Sequence, residues 1–130
     1  MNTLLLIVEE NDAIRKLLRE WLEVTLFGCR VLEATNSEEA IALTRTQSPR
    51  AILMGIDSLG ASSIEAIRQV KIASPTAKVI ALTADDHRFY HDDVIAAGAG
   101  AYVNIWKIRT ELLPALKTLL AVENESSVSL

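Results

Sequence analysis

Apolar residues fall along the chain in short unbroken runs, and each run is followed by a stretch with helical spacing. "LLLIV" (Leu4–Val8) shows no polar alternation and reads as a buried strand. After it, Asn11 or Asp12 can cap a helix with Ile14, Leu17, Leu18, Trp21 and Leu22 on one face and Arg15, Lys16, Arg19 and Glu20 opposite. Gly28 marks the exit. "CRVLEA" (Cys29–Ala34) is a second strand, and "TNSEEAIAL" opens a second helix capped by Thr35 or Asn36, with a glutamate following at capping-box spacing. Ala51–Met54 is the third strand. Ser62 and Glu65 then stand at capping-box spacing for a helix through Lys71. Lys78–Thr83 is the fourth strand, His87–Gly98 a short helix closed by glycine, and Ala101–Ile105 the fifth strand. Thr110 can cap a last helix through about Val122, with Leu112, Leu116, Leu119 and Leu120 on one face. Pro114 is tolerable there because it falls in the first turn. The polar tail "ENESSVSL" is expected to fray.

Strands alternating with helices, and strands that are apolar on both faces, predict an α/β fold with a parallel sheet between two helical layers. Right-handed crossovers and short loops lead to a doubly wound sheet of order 2-1-3-4-5. Ligands of such sheets bind at the carboxyl ends of the strands, beside the switch point between strands 1 and 3. No internal repeat or linker interrupts the 130 residues, so the size predicts one domain. Residues 1–122 form it and 123–130 are a tail.

Composition narrows the classes. Half of the residues are apolar and only 5% are aromatic, so the core is expected to be aliphatic. A net charge of −4 argues against a nucleic-acid surface, which needs a basic face. The single cysteine, Cys29, excludes an internal disulfide and reads as a core thiol. Leu4–Val8 is too short for a membrane span or a signal core, so the expected location is cytoplasmic. "NES" at Asn124 is read as a chance match to the glycosylation pattern.

The chemistry should stand at the strand ends. Strand 1 leads into "EEND", not into a glycine-rich turn, and an acid pair repels a nucleotide phosphate. Glu9 and Glu10 could hold Mg²⁺ through oxygen ligands, or could serve only as solvent-facing and helix-capping acids. Strand 3 ends at Gly55, with no side chain where a reactive group would sit, and Asp57 follows two residues later. Strand 4 ends in Thr83, and strand 5 in Asn104 and Ile105. His87 and His91 have metal-compatible spacing but no third ligand, which favours a solvated face.

The blocks "LLIVEENDAIRKLLREWLE", "AILMGIDSLGASSIEAI", "VIALTA" and "GAGAYVNIW" occur in the order, and at the spacings, of a response-regulator receiver domain. From Leu4 to about Val122 the chain resembles that family, which implies the flavodoxin-like (βα)5 three-layer fold and a place in two-component, phosphorelay-type signalling. In the family a strand-3 aspartate accepts a phosphoryl group from a histidine kinase, and Mg²⁺ bridges it to the acid pair. A strand-5 lysine contacts the phosphoryl group, while a strand-4 threonine and a strand-5 aromatic form the switch. The resemblance assigns the acid pair to Glu9 and Glu10, the threonine to Thr83 and the aromatic to Tyr102. It puts the acceptor on Gly55, the lysine on Ile105 and the proline that follows it on Trp106.

Acyl-phosphate formation needs a carboxylate nucleophile, and Gly55 has none; Ile105 brings no charge to offset a phosphoryl group. The leading expectation is a degenerate receiver, not an enzyme, working as a phosphorylation-independent protein-interaction module. It has either no metal or a weak Mg²⁺ site at Glu9 and Glu10. One alternative is a working acceptor at a displaced Asp57 with Mg²⁺ bound by Glu9 and Glu10, and with Lys107 similarly displaced, although Asp57 lies about 7 Å further along the strand. The other is a flavodoxin-like enzyme or flavin carrier, for which no nucleophile–base constellation is visible. With Trp106 in place of proline, the Ile105–Trp106 bond is expected to be trans and the following loop rebuilt, because a cis bond there costs roughly 2.5–4 kcal/mol. Phe89, Tyr90, Tyr102 and Trp106 mark a candidate interaction face for a protein partner. That partner could be a histidine kinase, a regulator, or a second copy docked through helix 4, strand 5 and helix 5.

Overall fold

The computed structural model describes residues 3–26, 28–56, 61–84 and 91–128. Strands β1 (Thr3–Val8), β2 (Cys29–Ala34), β3 (Ala51–Ile56), β4 (Lys78–Thr83) and β5 (Ala99–Asn104) form one parallel sheet in the order β2-β1-β3-β4-β5. Helices α1 (Asp12–Thr25), α2 (Ser37–Thr44), α3 (Ala61–Ala73), α4 (His91–Ala97) and α5 (Leu113–Val128) connect or follow them. The expected α/β class and strand order are both observed.

The apolar runs bury against both helical layers. Leu5 and Ile7 join Leu18 and Leu22 of α1 and Leu116 of α5 in one cluster. Leu6 and Val8, pointing the other way, join Ala40 of α2, Ile67 and Val70 of α3, and Val94 of α4. That two-sided burial is why the strands show no polar alternation. The exception is the edge strand β2, where only Val31 and Ala34 are buried. Its Glu33 instead pairs with Arg15 and Arg19 of α1.

The helix caps follow the chemistry of the sequence. The Asn11 side chain accepts the Ile14 N–H at 2.9 Å, and the Asn36 side chain accepts the Glu39 N–H at 2.9 Å. Glu39 reaches back to the Thr35 N–H at 2.7 Å, one residue before the cap. On α1 the buried stripe is narrower than expected: Leu18 and Leu22 are covered, but Leu17 is 47% exposed. Cys29 is half-buried, its thiol donates to the Leu22 carbonyl at 3.5 Å, and burial pushes its pKa up.

Several boundaries differ from the sequence reading. Helix α3 begins at Ala61, so Ser62 lies inside it, and Glu65 turns to Arg68 and Gln69 instead of reaching back to a cap. Strand β5 begins at Ala99, directly after Gly98, and stops at Asn104 because the Asn104 side chain accepts the Trp106 N–H at 2.8 Å. Ile105 therefore opens a 3-10 turn (Ile105–Lys107) instead of ending the strand. Thr110 is not the cap of α5 but lies inside a π turn (Ile108–Leu112), its hydroxyl donating to the Lys107 carbonyl at 3.3 Å. Pro114 has no N–H to continue an α-helical ladder back to Thr110, and the wider turn just before it accommodates that. Finally, α5 runs on to Val128, past Val122, since no glycine or proline follows Pro114 to stop it. No peptide bond among the described residues is cis, so Ile105–Trp106 is trans.

Candidate functional site

A cleft of about 380 Å³ opens at the carboxyl ends of β1, β3 and β4. Glu9, Glu10, Gly55, Thr83 and Ile105 all line it, with Thr35, Asn36, Ser62 and Ser63 on the rim from the neighbouring helix starts. The topology explains the convergence. β1 and β3 are neighbours at the switch point of the sheet, where their following helices leave on opposite faces and a crevice is left between them.

The β1 side is tightly held. The Glu9 N–H donates to the Ala34 carbonyl at 3.0 Å, and Arg15 Nη1 donates to the Glu9 carbonyl at 2.8 Å. Glu9 Oε2 accepts the Asn11 N–H at 2.9 Å. Its other carboxylate oxygen comes to lie over Gly55: a Cβ built on Gly55 would stand 2.3 Å from Glu9 Oε1 and 3.0 Å from Glu9 Cδ. Glu10 is exposed at the cleft mouth.

The opposite wall is apolar and hydrogen-bonded. Ile105 is 6% exposed and packs with the cluster on the α1 and α5 side of the sheet. Thr83 and Asn104 are cross-strand partners, at 6% and 9% exposure. The Asn104 N–H donates to Glu111 Oε1 at 3.0 Å, and its side chain caps the Trp106 amide. Tyr102 packs against the α3 and α4 layer and meets the His91 ring edge-on at 5.5 Å. Trp106, in contrast, is 69% exposed. Tyr102 and Trp106 do not line the cleft. Asp57, His87, Phe89 and Tyr90 lie outside the described residues.

Among the described residues, the donor set does not fit a Mg²⁺ ion of the kind the family resemblance implies. Such an ion takes several hard oxygen ligands. Gly55 offers no side-chain oxygen, Glu9 Oε2 is engaged by the Asn11 amide, and no three acids, histidines or cysteines converge among the described residues.

The model of the response regulator receiver domain matches residues 5–113. The chain belongs to this family. Among curated proteins, the receiver domain is 29% identical over 116 residues to a cyclic di-GMP phosphodiesterase of Thermotoga maritima, covering 86% of this chain and 30% of that protein. It is 26% identical over 117 residues to the response regulator GacA of Pseudomonas protegens, covering 89% of this chain and 54% of the relative. The chain thus spans about half or less of the length of these relatives. A response regulator from Thermotoga maritima superimposes with a TM-score of 0.81 at 22% identity, covering 93% of this chain and 99% of that one. No helix of the described residues is long and apolar enough to cross a membrane.

Sequence reasoning brought together Glu9, Glu10, Gly55, Thr83 and Ile105. It missed where the Glu9 carboxylate goes, and the roles of Asn104 and Glu111. One signal was available: glutamates are one methylene longer than the aspartates usual in the family, and Gly55 leaves room for the extra reach.

Proposed function

We propose that this receiver domain is a phosphorylation-independent protein-interaction module of a cytoplasmic two-component pathway. The observation that carries the reading is the state of the acceptor position: Gly55 has no side chain, and the Glu9 carboxylate stands where one would begin. The buried Ile105 supports it, since an isobutyl-sized apolar group cannot offset the charge of a phosphoryl group. Output then comes from binding. The surface offered is the rigid turn after β5, where Asn104 and Glu111 fix the backbone that presents Trp106, and exposed tryptophans are frequent binding anchors.

The test is incubation of the purified chain with acetyl phosphate and Mg²⁺, followed by intact mass measurement. No gain of a phosphoryl mass is expected. A stoichiometric gain that Asp57→Asn abolishes would instead establish a displaced acceptor and end this reading.

A further inference from the structure

Glu9 does more than line the cleft. Its backbone is held on both sides, by the Ala34 carbonyl and by the Arg15 guanidinium, and its carboxylate is held by the Asn11 N–H. With those anchors set, Oε1 lies 2.3 Å from the position a residue-55 Cβ would take. Carbon and oxygen do not approach so closely without bonding. The present Glu9 conformation and any side chain at position 55 therefore exclude each other. Asn11 also caps α1 through its own side chain, so the carboxylate over Gly55 is tied directly to the start of that helix.

We propose that Glu9 is the resident occupant of the pocket. Its carboxylate, fixed by Asn11, fills the place left open by Gly55 and holds the β1–α1 turn in one conformation without any modification. The inference rests on the phosphorylation-independent reading and adds its device: a permanent acid supplied by the chain itself, in place of one that could be modified and restored.

The experiment is amide hydrogen exchange at Asn11, followed by NMR on the full chain. Wild type is compared with Glu9→Ala, Glu9→Gln, Gly55→Ala, Gly55→Ser and the double variant Glu9→Ala/Gly55→Ala. Rates are read relative to the Leu6 and Ile80 amides, which report opening of the whole domain. Glu9→Ala and Gly55→Ala should each speed Asn11 exchange by about three- to tenfold, the range one net hydrogen bond supplies. The double variant should exchange no faster than either single one. Gly55→Ser should behave like Gly55→Ala, and Glu9→Gln, which keeps reach and acceptor, should stay near wild type. An unchanged Asn11 rate in both Gly55 variants, or independent effects that multiply in the double variant, would overturn the proposal. The two readings fail separately. A phosphoryl gain on wild type removes the functional reading and leaves the exchange result standing, whereas an unchanged Asn11 removes the occupant and leaves the mass result standing.

Discussion

Replacing Gly98 with alanine tests how β5, which leads into the cleft-lining Ile105, is launched. Gly98 has φ +124°, a region that side-chain-bearing residues rarely adopt. Strain of this kind costs roughly 1–3 kcal/mol. The added Cβ would also stand 2.7 Å from Lys71 Cγ and 3.2 Å from Lys71 Cβ. Lys71 is not free to retreat, because its Nζ donates to the Pro75 carbonyl at 2.9 Å and the Ala77 carbonyl at 2.7 Å. Moving it gives up hydrogen bonds at the corner between α3 and β4, together worth about 1–2 kcal/mol for a partly exposed pair.

The expected loss for Gly98→Ala is therefore about 2–5 kcal/mol. With a urea slope typical of a small domain, the unfolding midpoint falls by on the order of 1–2 M. Urea titrations followed by circular dichroism measure it. Lys71→Ala supplies the second half of the test. In that background the 2.7 Å contact with Cγ is gone and only the 3.2 Å contact with the remaining Cβ is left, so Gly98→Ala should cost the backbone strain and little more. A Gly98→Ala loss below about 0.5 kcal/mol would refute the strain argument. An equal loss with and without Lys71 would refute the packing argument.

Two further predictions concern the rim and the turn after β5. The Thr35 hydroxyl and N–H hold the Glu39 carboxyl below its ordinary value, so its contribution to stability is present above the usual carboxylate range and is lost as the pH falls through the lowered folded value. Thr35→Val should return the Glu39 midpoint upward in an NMR titration, and an unmoved midpoint would contradict the assignment. Leu112→Ala, at a fully buried site, should cost about 2–5 kcal/mol. Trp106→Ala should change stability by less than about 0.5 kcal/mol in the same urea assay. A comparable loss for both would place Trp106 inside the fold and remove it as a binding anchor.

Much of the architecture was legible because its causes are local. Leu4–Val8 and Lys78–Thr83 are apolar without alternation, so they could only be central strands, and Asn11 and Asn36 cap the helices they precede. The misreadings fall where local signals compete with contacts from further along the chain. Ser62 and Glu65 have the spacing of a capping box, but Arg68 draws Glu65 the other way. Ile105 continues an apolar run, yet Asn104 turns the chain first, and Glu111 seven residues on fixes that turn. Thr110 is a good cap residue placed too close to Pro114 for the helix to start there. The cleft was legible as a set of residues, since topology brings strand ends together. The position of the Glu9 carboxylate was not, because it depends on Asn11, Arg15 and the missing side chain of Gly55 acting at once.

The changes at positions 9, 55 and 105 have a common physical logic. A carboxylate at 55 beside Glu9 and Glu10 would gather three acids at one mouth, and each added like charge makes the next harder to ionise. A cation at 105 is what would offset such a cluster. Once residue 55 is glycine, one acid leaves the mouth, and the need for a buried cation falls with it. Isoleucine at 105 then gains the free energy of burying an apolar side chain, roughly 1.5–3 kcal/mol, without desolvating an ammonium group. The polar work that remains is done by neutral groups. Thr83 and Asn104 are the buried polar residues among those described, they are paired across β4 and β5, and both stand at the carboxyl edge of the sheet. Asn104 spends its side chain on the Trp106 amide and its own amide on Glu111. Such bonds are made once, on folding, and do not wait for a charge to arrive. The edge of the sheet that carries the exposed Trp106 is in this way held by Asn104 and Glu111, with no charge needed at position 55 or 105.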